Sequence, residues 1–152
     1  MEMLRIAVLL AATITMGIGA GVYLLYSFAI MPGLRRVSDR TFIGAFQQID
    51  TAIVGPFLLI FFFGPLILTI LAGALHLGQE ERSMLPWIGI AFILQLAILA
   101  ITLVINVPLN NGIKAAGNPD TIDDISAVRQ RFNEAKWAGW NLFRSVTSTV
   151  SV

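Results

Sequence analysis

The chain has 152 residues, 57% of them hydrophobic and 12% charged, with a mean hydropathy of +0.81. Water-soluble domains run about 45–50% apolar and about 25% charged, so this composition excludes a disordered chain or disulfide scaffold and argues against a water-soluble enzyme. With no cysteine there is no thiolate nucleophile or thiolate metal site, and a formal charge of +1 supplies no basic excess for a nucleic-acid partner. The expectation is an all-α integral membrane protein, a four-helix bundle forming a single domain over residues 1–152.

Charge-free gaps mark the spans. No charge falls between Arg5 and Arg35, between Asp50 and Glu80, or from Ser83 to Ile113. Each gap exceeds the roughly 20 residues a helix needs to cross a hydrocarbon core, which predicts spans at about 6–31, 52–75 and 86–107. The first apolar stretch continues through Val22–Met31, too far for a cleaved signal peptide. Its Thr13, Gly17 and Gly21 suggest a face for close helix packing. Ahead of the second span, Phe42, Phe46, Ile49 and Ile53 recur at helical spacing, so 39–51 reads as an amphipathic lead-in. Pro56 and the Gly64-Pro65 pair are expected to bend that span.

Asn118-Pro119-Asp120-Thr121 reads as a turn, with Thr121 and Asp124 at capping-box spacing for a helix start. A fourth span is placed at about 135–152. From Trp137 onward only 16 residues remain, roughly 24 Å of helix, so a helix beginning near Thr121 would help it cross. Seven of the ten Lys and Arg residues lie in the loops 32–51 and 108–136. The positive-inside rule then puts those loops in the cytoplasm and both termini outside, in a plasma (inner) membrane.

Polar side chains inside the spans carry the functional signal, because each is costly there. Gln95, Thr102, Asn106 and Asn110 follow one helical stripe, and Trp137, Asn141, Arg144 and Ser148 another. The two stripes are expected to face each other, densest toward the cytoplasmic side. Pro108 crowds the preceding turn, so Asn106-Val107-Pro108-Leu109-Asn110 is predicted to break the helix. Gln95 and Thr102 read as ordinary interhelical hydrogen bonds, whereas Arg144 needs an anion, carbonyls or water. Tyr23, Tyr26 and Ser27 can line a cavity from the first span. Trp137 and Trp140 have an alternative role as interfacial anchors. Asp120, Asp123 and Asp124 fit a capped helix start.

Several chemistries lack parts. One histidine, His76, and no cysteine cannot build the usual zinc or non-haem iron sites, although His76 alone can serve as a haem ligand. Phosphate-binding glycine loops and nucleophile elbows are missing, and the charge-free gaps hold no acidic residue.

Met31-Pro32-Gly33-Leu34-Arg35-Arg36, Phe46-Gln47-Gln48-Ile49, Asn106-Val107-Pro108-Leu109-Asn110 and Trp137-x-x-Trp140-Asn141-x-x-Arg144 occur in this order. Together, over about residues 15–148, they resemble the anthrone oxygenase family of small four-span membrane proteins. Similar proteins usually carry a longer apolar tail after the last motif, which suggests a truncated chain or a short fourth span. The resemblance implies, for some fungal members, oxidation of a polycyclic anthrone to an anthraquinone by O2, with no metal or flavin assigned. In that reading Arg144 stabilises a developing oxyanion, and Asn106, Asn110 and Asn141 orient the substrate. Trp140, Trp137 and Tyr26 form aromatic walls, and Arg35 joins them as a binding residue. Asp50 is the nearest carboxylate in topology. The implied partners are membrane lipid and a hydrophobic aromatic small molecule, with homo-oligomers compatible. The competing reading is a non-catalytic lipid- or quinone-binding subunit, or a scaffold, in which the exposed Arg35-Arg36 pair meets lipid phosphates.

Overall fold

The computed structural model describes residues 1–55 and 59–152, and every regular element among them is helical. Helix α1 (Glu2–Leu34) and helix α4 (Arg82–Ala115) are the long apolar rods, long enough to cross a membrane. At about 1.5 Å per residue each is roughly 50 Å long. Between them lie α2 (Asp39–Ile53) and α3 (Gly64–Leu75), the latter preceded by a π-helical turn at Leu59–Phe63. Two further helices, α5 (Ile125–Phe132) and α6 (Glu134–Val150), close the chain.

Helices α1, α3, α4 and α6 pack as a ring in which α3 and α6 each lie between α1 and α4. Neighbours run antiparallel. At one end Arg5 Nε donates to the Leu75 carbonyl at 2.9 Å, and at the other the loops, α2 and α5 form a cap. The cap has its own aromatic core, in which Tyr26, Met31, Phe42, Ile43, Phe46, Ile113, Val128, Phe132 and Trp137 are buried together. The ring itself is inverted relative to a water-soluble bundle. Leu10, Ile14, Ile67, Ile70, Ile90, Ile93, Leu142 and Val146 face outward, while Thr69, Gln95, Thr102, Asn106, Asn141, Arg144 and Ser148 are buried.

The lead-in is a separate helix. Ser38 caps α2 by accepting from the Thr41 N–H, and Phe42, Ile43 and Phe46 fill its inner face. It ends where Val54 turns extended, so the expected continuous span 52–75 is broken there. The bend expected at Pro56 lies outside the described residues.

The helix break expected at Pro108 does not occur, and the same device appears three times. Pro32, Pro65 and Pro108 each sit two residues beyond a π-turn, at Tyr26–Ile30, Leu59–Phe63 and Thr102–Asn106. A proline offers no N–H to the carbonyl four residues back and crowds it. Those carbonyls belong to Phe28, Phe61 and Val104, the middle residue of each π-turn. Widening the turn by one residue absorbs the conflict locally, so Val107 stays helical at φ −61° and ψ −45° rather than extended.

Three other expectations change. Helix α5 starts after Asp124, which accepts from the Ala127 N–H at 2.9 Å, while Thr121 belongs to the preceding turn and donates its N–H to the Asn118 carbonyl. The last span does not continue from this segment, because Asn133 adopts a left-handed conformation (φ 51°) between α5 and α6. Asparagine tolerates that region, and its side chain accepts from the Lys136 N–H to start α6. The Thr13, Gly17 and Gly21 face is exposed, and a Cβ built on either glycine meets nothing within 4 Å. The close approach is at Gly19, whose added Cβ would lie 3.4 Å from the Phe61 carbonyl.

Candidate functional site

The two polar stripes meet as an antiparallel ladder between α4 and α6. Gln95 Nε2 donates to Ser151 Oγ at 2.7 Å, Arg144 Nη1 to Thr102 Oγ1 at 2.8 Å, and Asn106 Nδ2 to the Trp137 carbonyl at 3.5 Å. Trp137 Nε1 closes the ladder by donating to Asn110 Oδ1 at 2.7 Å. On α6 the buried Trp137, Asn141, Arg144 and Ser148 share the inner face, as steps of three and four require.

Arg144 is 5% exposed and has no carboxylate against it among the described residues. Its Nη2 donates to Asn141 Oδ1 at 2.8 Å, and its guanidinium carbon lies 4.7 Å from the Tyr23 ring and 5.9 Å from the Trp137 ring. Neutral acceptors and aromatic faces therefore hold a buried cation. Asn141 Nδ2 reaches across to α1, donating to the Tyr23 carbonyl at 2.9 Å and to Ser27 Oγ at 2.7 Å. Ser27 Oγ is also 3.1 Å from Ser145 Oγ. Arg144 Nε and Asn106 Oδ1 are buried without a hydrogen-bond partner among the described residues. Left without a partner, such groups cost about 1–3 kcal/mol each.

A second network joins the cluster from the cap. Asp50 on α2 accepts from Asn110 Nδ2 at 2.7 Å and pairs with Lys114 Nζ at 2.6 Å. Asn110 thus connects a carboxylate to the Trp137 indole. Tyr26 packs on Trp137 with ring centroids 5.5 Å apart, and Phe46 meets the same indole edge-on at 5.7 Å. Gln47 anchors this wall by donating to the Ile113 and Gly117 carbonyls, both at 2.9 Å. Gly117, at φ +82°, supplies the left-handed turn that ends α4.

The structure therefore gathers Arg144, Asn141, Asn106, Asn110, Trp137 and Tyr26, and separates two of the expected site residues from them. Trp140 is 37% exposed and packs on Phe143 on the outer face of α6. Arg35 lies in the cap loop, half-exposed, with Nε 3.8 Å from a Glu134 oxygen. Tyr23 and Ser27, expected to line a cavity, and Asp50, the nearest carboxylate, join the cluster together with Ser145, and Thr102 makes its expected interhelical hydrogen bond, to Arg144. His76 is at the far end of α3, its Nδ1 2.7 Å from the Ala72 carbonyl, so Nδ1 carries the proton. No group of three or more His, Cys, Asp or Glu able to hold a metal occurs among the described residues.

Arg129 fastens the cap. It donates to Glu134 Oε1 at 2.7 Å, Asp39 Oδ1 at 2.9 Å and the Val37 carbonyl at 3.0 Å, with its guanidinium carbon 4.4 Å from the Phe42 ring centroid. The Glu134 hydrogen bond holds its pKa above the ordinary arginine value; burial opposes this and Asp39 adds to it.

The family model described as anthrone oxygenase matches residues 57–152. The chain belongs to the anthrone oxygenase family. No match was found among curated proteins or among solved structures. The matched stretch carries Asn106, Asn110, Trp137, Asn141 and Arg144, the motifs that form the ladder. The Met31-Pro32-Gly33 and Phe46-Gln47-Gln48-Ile49 elements precede it, as do Tyr23, Ser27 and Asp50, so in this anthrone oxygenase relative α1 and α2 complete the cluster from outside the matched region.

Proposed function

We propose that the protein is a membrane-embedded oxygenase that converts a polycyclic phenolic, anthrone-type substrate to a quinone with O2, without a metal or flavin. The observation that carries this reading is Arg144, a buried cation with neutral partners and one unpartnered N–H. It is suited to a phenolate oxygen, because a preorganised donor in a dry site stabilises developing negative charge.

Membrane embedding is supported by the apolar outer face, the buried polar interior and the two long apolar helices. A bundle in lipid turns its polar groups inward. The cap carries most of the Lys and Arg residues, so it faces the cytoplasm of the inner membrane with both termini on the opposite side.

The chemistry balances with O2 as the sole oxidant. The anthrone methylene loses a proton, and the resulting anion gives one electron to O2. The carbon radical and superoxide join through a new C–O bond to give a peroxide. Loss of the remaining C–H proton with O–O cleavage leaves the ketone, so one anthrone and one O2 yield one anthraquinone and one water. Arg144 holds the anionic oxygen, Asn106 and Asn141 orient it, and Trp137 and Tyr26 flank the rings. Asp50, hydrogen-bonded into the cluster through Asn110, receives the proton.

One observation favours the scaffold form of the competing lipid- or quinone-binding or scaffold reading. The crevice lined by Tyr23, Phe61, Gln95, Ile98 and Ser148 is too tight for a water molecule, as expected of residues that simply hold helices together. Oxygen uptake decides between them. Protein in nanodiscs given an anthrone is expected to consume O2 and form anthraquinone faster than empty nanodiscs, with 18O from labelled O2 in the product. Arg144→Lys is expected to lower the rate by about 100-fold, the scale of one oxyanion donor. Turnover equal to empty nanodiscs refutes the oxygenase reading, and turnover above that level but unchanged in Arg144→Lys refutes the role of Arg144 in it.

A further inference from the structure

Asn106-Val107-Pro108-Leu109-Asn110 has two working faces, of which the cluster uses one. The asparagines point toward α6, whereas Pro108 and Leu109 line a groove of about 400 Å³ between α4 and α5. That volume lies within the roughly 300–1,000 Å³ of small-molecule sites. Gly112 lies on the α4 side, where an added Cβ would meet nothing within 4 Å. Val128 and Phe132 line the α5 side. The result is an apolar slot between a bare helix surface and a phenyl ring.

Two features of the slot select its occupant. Arg131 lines it and is exposed; its Nε donates to the Ala127 carbonyl at 3.3 Å, and no carboxylate pairs with it among the described residues. Its neighbours Lys114 and Arg129 are both paired. Phe132 also packs against Trp137, with centroids 6.3 Å apart, and Trp137 lies over the Arg144 guanidinium. The slot therefore backs onto the polar cluster through a wall of aromatic rings. An apolar cleft with one available cation matches a planar fused-ring anion, which fills the slot with its faces and meets Arg131 with its oxygen.

We infer that this groove is the docking site for the fused-ring phenolic substrate, met by Arg131 at an ionised ring hydroxyl, before its methylene is deprotonated beside Arg144. The ligand class rests on the oxygenase reading, but the site is tested by binding alone. The probe is 9-anthracenecarboxylate, added to the protein in zwitterionic nanodiscs and followed by energy transfer from tryptophan. Saturable binding is expected. Gly112→Leu fills the slot while replacing a helix-interior glycine with a better helix former, and it is expected to weaken binding about tenfold or more. Arg131→Gln is expected to weaken it about two- to fivefold, the scale of an exposed ion pair, and to leave neutral anthracene unaffected.

Unchanged probe affinity in Gly112→Leu overturns the proposal. So does displacement of the probe by oleate as readily as by 2-naphthoate, a fused-ring acid that does not give the anthracene emission, which would make the slot a lipid site. Turnover separates the two readings. Binding lost in Gly112→Leu with no anthrone oxidation by the wild type keeps the groove and removes the oxygenase. Where oxidation occurs, Gly112→Leu is expected to raise KM with kcat unchanged, whereas an unaltered KM removes the groove and keeps the oxygenase.

Discussion

Replacing Arg144 with methionine takes a cation out of the bundle without stranding a carboxylate. The substitution removes the hydrogen bonds to Thr102 Oγ1 and Asn141 Oδ1, each worth about 1.5–3 kcal/mol as a bond to a charged group. It also returns a desolvation cost of several kcal/mol for the buried ion. These offset, because the Thr102 hydroxyl keeps its bond to the Ile98 carbonyl. What remains is the orphaned Asn141 oxygen, at about 1–3 kcal/mol. Asn141→Leu is the harsher change. It strips an acceptor from the buried guanidinium and the links to Tyr23 and Ser27, and leaving a buried charge uncompensated costs about 3–5 kcal/mol. The double variant no longer contains that charge, so it is expected to recover part of the loss, with a coupling energy of about 1–3 kcal/mol. Steric-trap unfolding in bicelles measures all three. If Arg144→Met proves costlier than Asn141→Leu, or the cycle shows no coupling, Arg144 is not an unneutralised cation and the argument for an anion beside it fails.

Trp140→Ala and Arg35→Gln should each change oxidation rates by less than about twofold, because surface positions away from a site are nearly neutral; a loss comparable to that of Arg144→Lys would contradict their outward placement. Lys114→Met strands the Asp50 carboxylate and should destabilise by about 1–3 kcal/mol, with Asp50→Asn restoring stability but not turnover. The chain has no cysteine, so Gln95→Cys with Ser151→Cys should be joined by a short bifunctional thiol reagent. Ile93→Cys with Ser151→Cys should not, because Ile93 faces outward; the reverse pattern would break the ladder. Arg129 contributes independently of pH wherever the protein is handled. Its raised pKa means the contribution is full below the unfolded value and lost only as pH rises through the folded one. Arg129→Lys should therefore speed hydrogen exchange at residues 35–39 and 125–134 equally at pH 6 and pH 8, after correction for intrinsic exchange rates.

The inward stripe of α6 was legible because helical geometry converts spacing into direction. At about 100° per residue, Asn141, Arg144 and Ser148 fall within roughly 40° of Trp137. By the same arithmetic Trp140 lies roughly 60° to one side, so the W-N-x-x-R motif groups it with residues that the helix points elsewhere. The contacts of α1 were harder to read. Tyr23 and Ser27 meet Asn141 through the relative height of two helices, which no single-helix period encodes. Asp50 is legible from topology as the nearest carboxylate, but its partners Asn110 and Lys114, on a helix some 60 positions away, are not. Pro108 departs from expectation for a different reason: a strict α-helix admits no interior proline without a break, whereas a helix that widens for one turn does.

The π-turns divide labour among the four rods. Helices α1 and α4 and the run into α3 each contain an extra residue wound into the coil, in the half of the bundle nearer the cap. Helix α6 runs from Glu134 to Val150 without one. The guanidinium therefore rides on the unbroken rod. Thr102 and Asn106, which meet its helix, and Tyr26 and Ser27, which approach from the other side, ride on turns whose hydrogen-bond register can be exchanged locally. The charge thus sits on the regular helix, and the side chains that meet it from across the bundle come from the two helices that each carry an extra residue in one turn.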